Sequence, residues 1–183
     1  MNLLGKILPR RLPTFARKGM LAELFKATAD AFGCPLPVLD NSHYDEQLHA
    51  YALFTRDQAE KALRAKSDLA AVRNRLYENS FFLGKKIRKW FAVDMTEDVM
   101  EIGQILYRAI GVEMKGKANG DMVMDQCYFS QFYSPAVCDL ISSLDDGIFS
   151  GISGGRRVVF SQRLTEGCEC CRANLQVMER KAG

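Results

Sequence analysis

The feature that most constrains this chain is a change of period. As far as Gly111, apolar residues recur three and four apart; beyond Lys115-Gly-Lys-Ala-Asn-Gly-Asp121, short alternating runs lie between turn signals. The first pattern buries a stripe on a helix and the second buries one face of a strand. The predicted fold is therefore α+β, with a helical N-terminal two-thirds packed on a C-terminal strand–helix–hairpin core. The division falls at residues 1–94 and 95–183, and the two parts are expected to form one domain together.

Local signals place the elements. Residues 1–18 are basic and broken by prolines, which reads as an arm. A first helix is predicted from about Phe15 to Phe32, with Leu21, Leu24, Phe25, Thr28 and Phe32 on one face, ended by Gly33 and followed by Pro35 and Pro37. Thr55 and Gln58 have capping-box spacing, so a second helix is expected from about Arg56 to Asn79. Gly84 then separates it from a short basic helix, KKIRKWF. Thr96 is read as the cap of the next helix, and Gly111 as its stop. Asn119-Gly120 marks a turn, Val123–Phe129 a strand, and Ser134-Pro135 a helix start that should run to Asp146-Gly147. RRVVFSQRL and CCRANLQVM are strand candidates joined through Thr165-Glu166-Gly167.

Composition narrows the function. No run approaches the ~18 apolar residues that a membrane span needs, and the N-terminal apolar run is too short for a signal-peptide core. The expected location is the reducing cytoplasm, with free or metal-bound thiols rather than disulfides. Residues 1–91 hold 16 Lys and Arg against 9 Asp and Glu, while residues 92–183 hold 9 against 13. The basic residues spread along helical patterns without a nucleic-acid motif, so they read as a solvated face. Neither nucleic acid nor a membrane is an expected partner. A small molecule is, and a homo-oligomer is compatible with the sequence.

Candidate chemistry lies with Cys127, Cys138, Cys168, Cys170 and Cys171, five of the six cysteines. Cys127, Cys138 and at least one of the last three are expected to line one site between the helix that starts near Pro135 and the C-terminal hairpin. Cys127 falls at a strand end beside Asp125. Cys138 lies one turn into a helix, where the dipole favours a thiolate but the apolar stripe favours an inert core thiol. Tyr128, Phe129, Phe132 and Tyr133 either wall a ligand pocket or staple the core. The spacing lacks the paired knuckles of structural zinc sites, yet a site built from Cys127, Cys138, Cys168 and Cys171 is geometrically allowed. His43 and His49 read as surface or loop residues.

Several of these residues also carry a resemblance. The strand with Cys127, the helix with Cys138-Asp139, and the ending from Gly167 to Cys171 resemble the L-2-amino-thiazoline-4-carboxylic acid hydrolase-like family over about residues 95–175. The same ending resembles, less closely, the vinyl-4-reductase-type small-molecule-binding domain. The first resemblance implies a cysteine-dependent hydrolase opening a small cyclic C–N or C–S bond. Cys127 would be nucleophile or ligand, Cys138 would belong to the site, and Asp125 or Asp139 would be the acid–base partner. Glu166 and Gly167 would join the four aromatic residues around the ligand. No cofactor is expected under that reading. The alternative is a sensing or accessory module whose cysteines hold zinc or iron. The turn EGCECC departs from the Gly-Asp turn and single cysteine of the family pattern, and so favours a metal or redox role.

Overall fold

The computed structural model describes residues 12–38, 42–65 and 68–177. Among these described residues, five helices and a four-stranded antiparallel sheet make an α+β fold, with the helices concentrated toward the N-terminus and the strands toward the C-terminus. Residues 1–11 of the expected arm lie outside the described residues, as does Met178 of the last strand candidate.

Helix α1 (Thr14–Phe32) ends where expected. Gly33 takes φ +65°, a left-handed conformation that costs a glycine little. Helix α2 (Tyr44–Arg64) begins well before the expected start. The Glu46 carboxylate accepts the backbone N–H of His43 at 2.9 Å and closes the helix entrance. Thr55 is not a cap. It sits inside α2, fully buried, where its hydroxyl donates to the Tyr51 carbonyl at 2.9 Å and bonds the Tyr133 hydroxyl. The next start belongs to Asp68, whose carboxylate accepts the N–H of Ala71 at 3.0 Å and opens α3 (Leu69–Phe91).

Gly84 does not break α3. A Cβ there would meet the Gly151 Cα at 3.0 Å, so its role is to let two helix backbones touch. Helix α4 (Thr96–Ala109) is capped from Met95, with the Asp98 carboxylate accepting the N–H of Met95 at 3.1 Å. Thr96 instead bonds Arg156 at 2.5 Å. Gly111, at φ +76°, turns the chain into the sheet.

The sheet order is β1-β2-β4-β3, formed by Val112–Gly116, Asp121–Cys127, Cys171–Gln176 and Arg157–Gln162 respectively. β1 went unread in the sequence. The strand expected over Val123–Phe129 is β2 and ends at Cys127, because Tyr128–Gln131 winds into a 3-10 turn and Ser130 Oγ donates to the Cys127 carbonyl at 2.7 Å. Helix α5 (Pro135–Ser153) starts as expected, with Ser134 Oγ accepting the Val137 N–H at 3.3 Å. It runs past Gly147, which is a close-approach residue against the Tyr77 backbone and Ser80 rather than a stop.

α3 and α5 cross in close contact, and α5 packs against the sheet through β3. Buried residues from Leu21 in α1 to Leu175 in β4 form one cluster, so the two expected parts share a core. Phe25 and Phe149, at 0% and 1% exposure, each contribute about 1.5–3 kcal/mol through burial. Among the described residues no helix is long and apolar enough to cross a membrane.

Candidate functional site

A cavity of about 120 Å³ lies where α5, the end of β2, the start of β4 and the 3-10 turn Leu164–Glu166 meet, backed by α3. That is close to the size of an engineered apolar cavity, about 150 Å³, which holds benzene. Its wall is largely aliphatic and aromatic. Into it come Cys127 from the end of β2, Cys138 from the first turn of α5 and Cys171 from the start of β4. The expected convergence of thiols is therefore present, with Cys171 as the member from the hairpin.

Burial dominates the chemistry of these thiols. It pushes Cys127 up to about 12, although the backbone N–H groups of Phe129 and Ser130 offset part of the effect. It also raises Cys138, partly offset by the Thr165 hydroxyl, and Cys171, partly offset by the Leu164 N–H that donates to its sulfur at 3.3 Å. At neutral pH all three are thiols rather than thiolates, so none is an activated nucleophile in the unliganded cavity.

The one carboxyl among the described wall residues is Asp145, two turns along α5 from Cys138. Burial raises it from 3.8 to about 6. The Tyr107 hydroxyl and the charge of Arg163 act the other way, and neighbouring Asp146 adds to the rise. Tyr107 donates to Asp145 Oδ1 at 2.8 Å. The residue keeps some accessible area while lining the cavity, and desolvation is the largest cause of its raised pKa. No Lys, Arg or His is among the described wall residues. Reading the sequence missed Asp145, although a signal existed. It stands four residues after Ile141 and seven after Cys138, on their inward stripe.

The other expected residues divide. Phe129 and Tyr133 line the cavity. Tyr128 and Phe132 do not: their rings pack together at 5.3 Å, and His49 joins them with its Nδ1 3.3 Å from the Tyr128 hydroxyl. Asp125 is exposed on β2 and ion-paired with Lys115. Asp139 faces an outer groove, where it pairs with Arg73 and, at 3.4 Å, with Arg163. The Glu166 carboxylate accepts the Arg163 N–H at 3.1 Å, and Gly167, at φ +85°, closes that turn. Neither reaches the cavity wall.

Cys168 is partly exposed before β4, and Cys170 is buried with the Gln162 amide donating to its sulfur at 3.4 Å. All six cysteines are free. Among the described residues no group of three or more His, Cys, Asp or Glu side chains is arranged to hold a metal ion, so Cys127, Cys138, Cys168 and Cys171 do not form such a set. Comparison of the chain with protein-family models and with curated proteins gives no match.

Proposed function

We propose that this protein binds a small, mostly apolar molecule in the cysteine-lined cavity and hydrolyses a cyclic C–N or C–S bond in it. Asp145 is the acid–base group of this reading. The observation that carries it is a carboxyl held near pH 6 in an apolar cavity, a value suited to proton exchange close to neutrality. In its ionised form Asp145 accepts a proton from water as that water attacks the ring. In its protonated form it returns the proton to the leaving nitrogen or sulfur. Tyr107 orients the carboxyl through its hydrogen bond to Oδ1.

Cys127, Cys138 and Cys171 supply a neutral, polarisable wall that suits a sulfur-containing ring. The wall also bears on charge. A carboxylate ligand would face Asp145 with no cation in the described wall to receive it. The substrate we propose is therefore neutral or cationic, which departs from the amino-thiazoline carboxylate that the family resemblance implies. Free thiols in this number fit a reducing cytoplasm.

Small heterocycles, including thiazolines and cyclic amidines with and without a carboxylate, would be incubated with the protein and followed by proton NMR. The expected result is ring opening of a neutral or cationic member by the native protein and none by Asp145→Asn. A second reading, ligand binding without catalysis, is favoured by the raised pKa of all three thiols. Saturable binding with no turnover of any compound would select it.

A further inference from the structure

The C-terminal half of α3 has two faces with different surroundings. Leu83 and Ile87 turn inward and line the cavity. Phe82, Lys85, Lys86 and Lys89 are exposed at spacings that place them on one outer stripe, with Trp90 beside them. Phe82 is 61% exposed and Trp90 68%. From Ser80 to Val93 the chain carries Lys85, Lys86, Arg88 and Lys89 and no acidic residue. Arg88 turns inward to the Ile152 carbonyl at 3.2 Å. Lys85 lies 5.8 Å from the Phe81 ring, and Lys86 meets Glu23 of α1 at 3.9 Å, a loose contact between exposed side chains. The basic residues that look evenly spread in sequence are thus gathered by the fold into a convex cationic stripe with two protruding aromatic rings.

We propose that this face docks the protein on an anionic lipid bilayer, lying on the surface without spanning it. Lysines at such a face are attracted by the negative potential of the headgroups, while the apolar ring of Phe82 and the amphipathic indole of Trp90 suit the acyl boundary. A second copy of the chain on the same face would set lysine against lysine. Nucleic acid fits less well, because single strands are held in grooves with stacking platforms and phosphate recognition favours arginine. The proposal does not depend on the chemistry of the cavity. It does place the cavity directly behind the docking face, across the same helix.

Full-length protein would be sedimented with vesicles of phosphatidylcholine alone or mixed with phosphatidylglycerol. Binding is expected only to the mixed vesicles and should weaken as salt shortens the screening length. Each lysine is worth roughly fivefold in partitioning, so the triple variant K85E/K86E/K89E, which removes three lysines and adds three repelled carboxylates, should bind at least about 100-fold more weakly. F82S/W90S should also lose binding while its thermal unfolding stays cooperative. Equal binding to both vesicle types, no binding to either, or indifference to the lysine reversals would overturn the proposal. So would tighter binding to single-stranded DNA than to the mixed vesicles, or a dimer that F82S/W90S dissociates.

Discussion

Replacing Asp145 with asparagine should change how stability depends on pH. In the folded protein the carboxyl titrates near 6 instead of 3.8. Its folded pKa is raised, so the folded state holds the proton more tightly than the unfolded chain does. Stability is therefore undiminished below about pH 4 and falls as pH rises through the folded pKa. A shift of roughly two units at 1.36 kcal/mol per unit gives a loss of at most about 3 kcal/mol by pH 7. Asparagine has a similar shape, can still accept the Tyr107 hydroxyl and does not ionise. Urea denaturation of both proteins from pH 4 to 8 isolates the effect, because other titrating groups cancel in the difference. The variant should gain on the native protein by about 2–3 kcal/mol between pH 4 and 7. Parallel curves would refute the reasoning, since they would mean that the carboxyl ionises in the folded state as easily as in water.

Other outcomes follow from the same structure. Cys127→Ser places a hydroxyl in an apolar wall and should cost about 1–3 kcal/mol in chemical denaturation, whereas Cys168→Ser, partly exposed, should stay within about 0.5 kcal/mol. Under native conditions near pH 8, iodoacetamide should modify Cys168 before Cys127, whose thiol lines the cavity and whose pKa is held up to about 12 by desolvation; peptide mass spectrometry reads the order, and equal rates would contradict that desolvation. Gly151→Ala drives a Cβ against the Phe81 carbonyl and to 2.8 Å from the Gly84 Cα, so it should lower stability by about 1–3 kcal/mol or more, seen as a lower Tm.

What could be read from the sequence depended on how local each signal was. Gly33, Asn119-Gly120 and Ser134-Pro135 act through their own backbone and neighbours, so the ends and turns they mark were legible. Gly84 and Gly147 are glycines for a different reason. Each makes room for a helix distant in sequence, and that requirement cannot be seen in a window of neighbouring residues. Thr55 has the spacing of a cap, yet it is spent on a buried bond to Tyr133 across the fold. β1 is five residues long, too short for its alternation to stand out. At the site, the clustering of cysteines predicted a convergence that the fold brings together in Cys127, Cys138 and Cys171. The acids beside the cysteines in sequence, Asp125 and Asp139, do not line the cavity. Asp145 does, two turns along the helix, because a helix face returns every three to four residues.

The contact of Gly84 with Gly151 also limits how the cavity can vary. Leu83 and Ile87 on one helix, and Leu144 and Ile148 on the other, form part of its wall just beside that crossing. With the two backbones already touching, this half of the wall cannot close further by moving α3 toward α5, and its volume is set by the side chains it carries. A change of backbone shape that alters the size of the accepted molecule would therefore fall in the short turns carrying Phe129, Ser130, Leu164 and Thr165 rather than at the crossing. Relatives with different ligands should differ in those turns while keeping a small residue at both points of the crossing.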